Sequence, residues 1–324
     1  IEMLNSLKPL KVLVVGDTII DEYHFTTPLG QSAKGNHLSV QYNYRERFLG
    51  GSLAVTNHVS GFVEKVKIVS GLGREKESEE FIRANLPKNI SPEFYYFVDA
   101  PTVVKKRFVD SDLNKLFEVY MYDENPKLEN SGEDICNWLD QNVEDFDMVI
   151  VSDFGNGFIT PEMIEPICNR SRYLAVNTQV NSGNRGYHAI TRYPRADFVS
   201  LNEPEARLAT HNRRDSIEHL AQNLAAQLSV KHFAVTRGTK GVMLLDNEGG
   251  KTYTVPALST KVLDRVGAGD AFLAFSAMCL GKGISPEAAV FVGSAAAALD
   301  VQIVCNEKPI SSGDLLKYLG TLLK

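Results

Sequence analysis

Residues 264–272 read DRVGAGDAF, a glycine-containing turn followed by the start of an apolar segment. Gly267 and Gly269 allow the backbone to turn tightly and to approach a ligand closely. The apolar residues 271–280 predict a helix, and the free N–H groups at the start of a helix attract phosphate. Asp270 is either an ordinary N-cap or a base that takes a proton from an attacking hydroxyl group. This stretch taken alone leaves both interpretations open.

Apolar runs that end in polar or glycine-bearing turns recur along the chain. They lack the alternation of half-exposed strands, which is typical of strands buried on both faces of a parallel sheet. The runs lie at residues 11–15, 66–70, 148–152, 173–177, 198–201 and 233–236. Segments with helical spacing separate them, such as 203–210 and 217–228. We therefore predict an α/β fold with a doubly wound, mainly parallel sheet flanked by helices, whose ligands bind at the carboxyl ends of the strands.

Two regions, residues 22–48 and 93–122, depart from this pattern. The second is rich in aromatic and β-branched residues that alternate with a period of two, as half-exposed strands do. We predict that both regions form a small antiparallel β-sheet outside the main sheet, as insertions in a single domain of residues 1–324. Such an appendage is a lid over the ligand site, a homodimer surface or both, or else a decoration without a function.

The composition points to small-molecule chemistry. The chain has 324 residues, of which 44% are hydrophobic and 23% charged, and its net charge is −6. It lacks a run of basic residues, which argues against binding to nucleic acid or to a membrane surface. No apolar stretch is long enough to span a bilayer and the N-terminal residues do not resemble a signal peptide, so we expect a cytoplasmic protein. The four cysteines are widely spaced, which predicts reduced thiols instead of a zinc site or disulfides.

Two further motifs place polar groups after predicted strands. In NEPE, residues 202–205, an amide and a carboxylate suit water-mediated binding of Mg²⁺ that enters with nucleotide phosphates. The same residues also fit the plain first turn of a helix, with Pro204 at its first position. TRGTKG, residues 236–241, supplies hydroxyl groups, two cations and two glycines that suit nucleotide phosphates, although a hairpin turn has the same composition. Each motif on its own leaves both interpretations open.

Residues nearer the N-terminus suit a sugar. Asp17 and Asp21 flank the end of the first predicted strand, where paired carboxylates accept hydrogen bonds from sugar hydroxyl groups. One of them could equally serve as a cap. Gly50 and Gly51 open a predicted helix and allow the backbone to approach a sugar closely, although a helix start without a ligand looks the same.

The order of these motifs resembles that of the ribokinase-like, or PfkB, carbohydrate kinases. GDTIID near the N-terminus, GG, NEPE, TRGTKG and DRVGAGD follow one another as in that family, and the resemblance covers nearly the whole chain. It implies an enzyme that uses ATP and Mg²⁺ to phosphorylate a sugar or a sugar phosphate. It also implies that Asp270 is the general base and that the backbone of Gly267, Ala268 and Gly269 forms the anion hole.

The resemblance also implies contacts for the other motif residues. Asn202 and Glu205 would serve Mg²⁺. The implied nucleotide-binding residues are Asn202, Thr236, Arg237, Gly238, Gly241, Asp264 and Arg265. The implied substrate-binding residues are Asp17, Asp21, Gly50, Gly51, Lys105, Arg107 and Asp153.

Within the family, three segments look most like the heptose-phosphate kinase domain of ADP-heptose synthesis. They are GDTIIDEY, the KKR segment at residues 105–107 and SDFGNG at residues 152–157. That resemblance favours a heptose-phosphate-like substrate. Lys105 and Arg107 suit a substrate that carries a phosphate, because the planar guanidinium group of Arg binds phosphate through two hydrogen bonds and the ammonium group of Lys binds it as a point charge. On the alternative view, Lys105 and Arg107 are solvated strand residues. Such kinase domains are often fused to a nucleotidyltransferase, which would fit a chain that starts with Ile1 and not with Met.

Several positions depart from the family pattern. Ala54 stands where the family usually has an Asn after the GG pair, and an Asp-Pro-Lys-like turn is replaced from Asn177 to Gln179. Arg265 replaces the usual Thr of the DTxGAGD signature. These departures favour a different ligand contact and leave open a catalytically inactive sugar- or nucleotide-binding domain of the same fold. Asp270 and the two glycines of the turn argue against that alternative.

Overall fold

The fold is built on a large β-sheet in the computed structural model, which describes residues 2–324. The strands are β1 (Lys11–Gln31), β2 (Leu38–Gly51), β3 (Lys65–Leu72), β4 (Ile90–Tyr96), β5 (Val103–Val109), β6 (Lys115–Met121), β7 (Met148–Asp153), β8 (Leu174–Thr178), β9 (Phe198–Asn202), β10 (His232–Thr236), β11 (Val242–Asp246) and β12 (Lys251–Val255). The main part of the sheet has the order β12-β11-β10-β9-β8-β7-β1-β3-β4. From β10 to β4 neighbouring strands run parallel, whereas β11 and β12 are antiparallel to their neighbours. The predicted mainly parallel sheet is therefore confirmed.

Helices cover both faces of this sheet. They are α1 (Glu2–Asn5), α2 (Ser52–Ser60), α3 (Lys76–Asn85), α4 (Glu133–Asn142), α5 (Pro161–Arg170), α6 (Glu203–Ala209), α7 (Ile217–Gln227), α8 (Ala268–Gly281), α9 (Pro286–Asp300) and α10 (Ser312–Leu322). Successive side chains of a strand point to opposite faces. Accordingly, Val12 and Val14 of β1 share an apolar cluster with α2, α8, α9 and α10, whereas Leu13 and Val15 share another with α4, α5 and α7. This arrangement confirms the doubly wound architecture.

β1 continues beyond the main sheet and takes part in a second, smaller sheet. Residues 18–31 of β1 pair antiparallel with β2, and β5 pairs with β1 on one side and with β6 on the other. We call this part of β1, together with β2, β5 and β6, the lid. A small β-lid is confirmed, but it is not wholly antiparallel, because β1 and β5 run parallel.

The second lid segment starts later than residue 93, where the sequence placed it. β4 pairs parallel with β3 at the edge of the main sheet, and its Phe94 and Tyr96 pack against the main core. The lid strands of this region begin with β5 at Val103. Alternation with a period of two indicates a half-exposed strand, but it does not tell which sheet the strand joins.

Two expectations about the chain as a whole can be compared with the structure. No helix within residues 2–324 is long and apolar enough to cross a membrane. The cysteines are free thiols, and Cys168, Cys279 and Cys305 are buried. The three buried thiols pack in the interior of the protein.

Candidate active site

The glycine turn of residues 264–272 leads directly into α8. Gly267 is the N-cap residue, with a φ of 99° in the region that favours glycine, and no side chain of residues 2–324 caps this helix. Asp270 is therefore the third helical residue, and its interpretation as the N-cap is wrong. The N–H of Ala271 donates to the carbonyl oxygen of Gly267 at 2.9 Å. The preceding N–H groups have no partner within the helix, so they are available to an anion.

The two glycines of the turn serve different purposes. A side chain at Gly267 would collide with the Oδ1 of Asn306, so this position needs glycine for packing as well as for its φ. At Gly269 an added Cβ would meet no atom within 4 Å, because this residue borders an open cleft. The backbone at Gly269 is thus accessible to a ligand, which fits an anion hole.

Asp270 lines this cleft although only 7% of its surface is exposed. Burial, followed by the negative charge of Asp21, raises the pKa of Asp270 to about 8 against the opposing effect of Lys105. The Nε2 of Gln179 lies 3.5 Å from the Oδ1 of Asp270. A carboxyl group with a pKa this close to neutrality is suited to accepting a proton from a hydroxyl group and releasing it again.

The cleft has a volume of about 1180 Å³ and extends from the lid to the carboxyl ends of β9 and β10. A smaller, mostly apolar cavity of about 250 Å³ adjoins it, with Leu258, Phe272 and Val301 in its wall. The residues common to both cavities are Thr236, Gly238, Arg265 and Gly269. The turn therefore lies between a polar cleft and an apolar pocket, which suits the phosphates and the base of a nucleotide.

Most of the site residues that the sequence indicated converge on these cavities. In the large cleft they are Asp21, Gly51, Lys105, Arg107, Asn202, Glu205, Thr236, Arg237, Gly238, Arg265, Gly267, Gly269 and Asp270. Gly241 and Ala268 line the smaller cavity. Asp17, Gly50, Asp153 and Asp264 line neither of them.

Two cations are buried at the lid end of the cleft. Arg107 forms an ion pair with Asp21 and donates from its Nε to the Oε1 of Glu118 at 3.0 Å. Lys105 is only 8% exposed and forms no ion pair with a described residue, and its Nζ lies 5.4 Å from the centre of the Tyr120 ring. Burial lowers the pKa of Lys105, and the charge of Asp21 partly offsets this effect. The interpretation of Lys105 and Arg107 as solvated strand residues is therefore wrong.

The carboxylates of Asp17 and Asp153 do not reach the cleft. Asp17 accepts the backbone N–H of Phe154 at 2.8 Å and that of Phe158 at 3.2 Å. Asp153 accepts the hydroxyl group of Tyr193 at 2.6 Å. These buried carboxylates thus satisfy donors of the protein itself, and the substrate contacts expected of them stay a prediction.

Gly50 and Asp264 also act within the protein and not at the cavity surface. A side chain at Gly50 would collide with Asp21, so glycine leaves room for that carboxylate. Asp264 accepts the backbone N–H of Arg265 at 2.7 Å and also the hydroxyl group of Tyr23. Although burial works against it, the hydrogen bond from Tyr23 holds the pKa of Asp264 below its usual value. Asp264 thus shapes the turn, and its expected contact with the nucleotide stays a prediction.

The NEPE segment forms the capping box of α6. The Oδ1 of Asn202 accepts the N–H of Glu205 at 2.8 Å, and the Oε2 of Glu205 accepts the N–H of Asn202 at 2.8 Å. The segment is the first turn of a helix, as the alternative interpretation predicted, but Pro204 is its second residue and not its first. Burial raises the pKa of Glu205 to about 7, against the effect of its backbone hydrogen bonds.

The capping box limits the way in which Mg²⁺ can bind. Asn202 and Glu205 both line the cleft, but each uses hydrogen-bonding capacity for the cap. Within residues 2–324 no group of three or more His, Cys, Asp and Glu side chains could hold a metal ion. A Mg²⁺ ion that enters with the nucleotide phosphates would meet Asn202 and Glu205 at the wall of the cleft and would contact them through water.

Several cleft residues were not indicated by the sequence. Arg207, His211 and Arg213 line the cleft beside the NEPE segment, and Asn306 lines it beside the glycine turn. No motif marks them. The only sequence signal for the three basic residues is that they follow β9, because the carboxyl ends of parallel strands face the ligand.

Comparison with solved structures gives the class of the protein. Ribokinase from Thermotoga maritima aligns with a TM-score of 0.73 and 19% identity, over 96% of this chain and 99% of its own. Phosphofructokinase-2 from Escherichia coli aligns with a TM-score of 0.75 and 14% identity, over 98% of this chain and 100% of its own. The protein therefore has the ribokinase-like fold.

Comparison of sequences gives the family. A model of the pfkB family of carbohydrate kinases matches residues 9–304, and the chain belongs to this family. Its members are phosphotransferases that act on sugar hydroxyl groups. The resemblance seen in the motifs is thus confirmed.

The curated relatives are longer than this chain. The "Bifunctional protein HldE" of Citrifermentans bemidjiense is 24% identical over 295 residues, which are 90% of this chain and 60% of that protein. The protein of the same name from Campylobacter jejuni subsp. jejuni is 26% identical over 312 residues, which are 93% of this chain and 63% of that protein. The chain therefore spans about three-fifths of the length of these relatives.

Proposed function

We propose that the protein transfers the terminal phosphoryl group of ATP to a hydroxyl group of a sugar or a sugar phosphate. Membership of the pfkB family supports this class of reaction. The observation that carries the proposal is the position of Asp270, a buried carboxyl group in the first turn of α8, next to the open backbone of Gly269. A proton acceptor and an anion-binding turn therefore lie within one turn of a helix.

The residues of the turn would support an in-line transfer. Asp270 in its ionised form takes the proton of the attacking hydroxyl group, whose oxygen bonds to phosphorus as the bond from phosphorus to the ADP oxygen breaks. The free N–H groups at the start of α8 bind the negative charge on the transferred group. When bound, Mg²⁺ neutralises charge on the nucleotide phosphates. Arg265, exposed between the two cavities, adds a cation on the nucleotide side.

We further propose that the substrate carries a phosphate group and favour a heptose-phosphate-like compound. The support is the buried ammonium group of Lys105, which lines the cleft without an ion-pair partner among the described residues. Arg107 is engaged by Asp21 and Glu118, so the phosphate contact falls mainly to Lys105. Similarity to the proteins named Bifunctional protein HldE agrees with the resemblance to heptose-phosphate kinase domains.

The relatives also support a partner activity. Because they are named bifunctional and the chain spans 60% of the first of them, we propose that a nucleotidyltransferase, fused or separate, uses the product. We propose that both activities reside in the cytoplasm, where phosphorylated sugars and ATP are available.

The lid is proposed as a homodimer surface as well as a cover for the cleft. Tyr42 on β2 and Phe117, Val119 and Met121 on β6 are between 41% and 55% exposed. An exposed apolar cluster of this kind usually marks an interaction surface. The partner we propose for this surface is a second copy of the chain.

The function is tested by following ADP release from ATP and Mg²⁺ with a panel of heptose phosphates, ketose phosphates and pentoses. We expect Mg²⁺-dependent turnover with a phosphorylated sugar. Binding of a sugar without turnover on any member of the panel would contradict the kinase and favour a catalytically inactive binding domain.

The substrate phosphate is tested with a matched pair of lysine substitutions. Lys105→Met should lower kcat/KM for the sugar phosphate by roughly ten- to a hundredfold, because a charge-assisted hydrogen bond is lost. Lys106→Met is the control, since Lys106 points to the opposite face of β5 and lies 3.9 Å from Glu22. Equal losses on the phosphorylated and the unphosphorylated sugar would contradict a phosphate contact at Lys105.

A further inference from the structure

A buried acid lies behind the anion-binding turn and has no role in the reaction described above. Asp300, at the end of α9, is 0% exposed, and neither of its carboxyl oxygens has a hydrogen-bond partner within residues 2–324. The Nε2 of His58, on α2, lies 3.5 Å from the Oδ1 of Asp300. The Nδ1 of His58 accepts the N–H of Ile310 at 3.3 Å, so the proton of the neutral ring is on Nε2 and faces Asp300.

The carboxyl group of Asp300 is in close contact with the turn. A Cβ added to Gly267 would lie 2.8 Å from the Oδ2 of Asp300. The Oδ1 of Asn306, another buried oxygen without a partner among the described residues, borders the same glycine. The first free N–H groups of α8 begin at the next residue. A negative charge on Asp300 would therefore act directly on a phosphate bound at the turn.

The surroundings keep this charge from forming near neutral pH. Burial, with added repulsion from Asp270 and Asp264, raises the pKa of Asp300 to about 8. Burial lowers the pKa of His58 to about 4, so the ring does not provide a compensating positive charge. The titratable groups that face Asp300 are thus His58 from α2, Asp264 from the turn and Asp270 from α8.

We propose that Asp300, which lies beside His58, is an electrostatic control on the anion-binding turn: the uncharged carboxyl group permits a phosphate to bind there, and the ionised carboxylate opposes it. The inference rests on the proposed function only in taking the turn as the phosphate site. Asp300 is not a catalytic residue in this scheme, because it does not touch the substrate and acts only through its charge. Its effect appears as a loss of nucleotide affinity in the alkaline range.

The test measures the affinity for magnesium-free ATP by calorimetry from about pH 7 to about pH 9.5. Above about pH 8 the charge of ATP itself changes little, so a further loss of affinity there reports on the protein. Asp270→Asn serves as the background, because Asp270 titrates in the same range and would mask Asp300. In that background burial still raises the pKa of Asp300, so the affinity should fall by roughly tenfold as the pH rises and a unit charge appears beside the turn. Adding Asp300→Asn, which keeps the shape and removes the charge, should abolish most of this fall.

A second measurement does not depend on the folding of the Asp300 variant. In the Asp270→Asn protein, binding of ATP at about pH 9 should take up roughly half a proton, because a tenfold preference of the ligand for the protonated acid raises its pKa by about one unit. The uptake is measured from binding heats in buffers of different ionisation enthalpy. Equal loss of affinity with and without Asp300→Asn, or no proton uptake, would overturn the proposal. Absence of ATP binding at every pH, both with and without Mg²⁺, would refute the proposed function itself.

Discussion

Replacing Asp270 by Asn is expected to lower turnover and to stabilise the folded protein. The substitution keeps the shape of the side chain but removes the proton acceptor, so kcat should fall by roughly two to four decades, the usual contribution of a general base. ATP binding should remain, because the free N–H groups of α8 are unchanged and a nearby negative charge is lost.

The gain in stability follows from the burial of the carboxyl group. The pKa of Asp270 is raised from 3.8 to about 8 on folding. At pH 7 the carboxyl group of Asp270 is ionised in the unfolded chain and mostly protonated in the folded protein. Because pH 7 lies about three units above the pKa of this group in the unfolded chain, and each unit is worth about 1.4 kcal/mol, keeping it protonated costs about 4 kcal/mol of stability. The buried amide of Asn would leave about 1 to 2 kcal/mol of hydrogen bonding unmet. The net gain at pH 7 should therefore be about 2 to 3 kcal/mol.

The sign of the pH dependence makes this expectation specific. The folded wild type binds the proton of Asp270 more tightly than the unfolded chain, so its free energy of unfolding falls as the pH rises from about 4 to about 8. The Asn variant lacks this slope. Urea denaturation at about pH 5 and about pH 8, together with kcat, measures the difference between the two proteins. Asp264→Asn is the matched control in the same turn, and its lowered pKa predicts a loss of stability at neutral pH.

Two results would refute the reasoning. A stability difference between wild type and Asp270→Asn that does not grow with pH would show that the carboxyl group is not held protonated by the fold. A kcat within a decade of the wild-type value would show that Asp270 is not the base.

Gly269→Ala should fold normally, because the added methyl group meets no atom within 4 Å, and should weaken ATP binding in a calorimetric titration, because the methyl group enters the cleft. Gly267→Ala should instead lower the melting temperature, since its φ is 99° and its Cβ would collide with Asn306; similar behaviour of the two variants would contradict the anion hole. Glu205→Gln should keep the capping box, because Gln also fits that position, and should raise the Mg²⁺ concentration for half-maximal activity. An unchanged Mg²⁺ requirement would remove Glu205 from the metal site.

Local chemistry made much of the fold and of the candidate site predictable. Buried strands and the helices between them have short, recognisable patterns of apolar residues in the sequence. These patterns predict the doubly wound sheet, which is confirmed. The glycine turn and the start of α8 were predicted for the same reason, because a turn and a helix start depend on residues that are close in the chain. Motif order then brought segments from both halves of the chain to one expected site, and most of them line the two cavities.

Other properties could not be predicted, because they depend on what packs around a side chain. Asp17 and Asp21 lie on the same strand and look equivalent in the sequence, yet Asp21 lines the cleft and Asp17 binds the backbone of a distant loop. Lys105 and Arg107 likewise lie two positions apart on β5 and carry the same charge. Arg107 nevertheless has carboxylate partners, whereas Lys105 has none among the described residues.

The sequence by itself thus determined the family, the central sheet and the turn that would bind phosphate, because these depend on short-range patterns and their order. Only the tertiary structure decided which carboxyl groups face the cleft and which of them carry a proton. The pairing of Asp300 with His58 behind Gly267 is the clearest case, since it joins three segments that no motif connects. The physical reason is that burial and neighbouring charges set a pKa, and both are properties of the packed molecule.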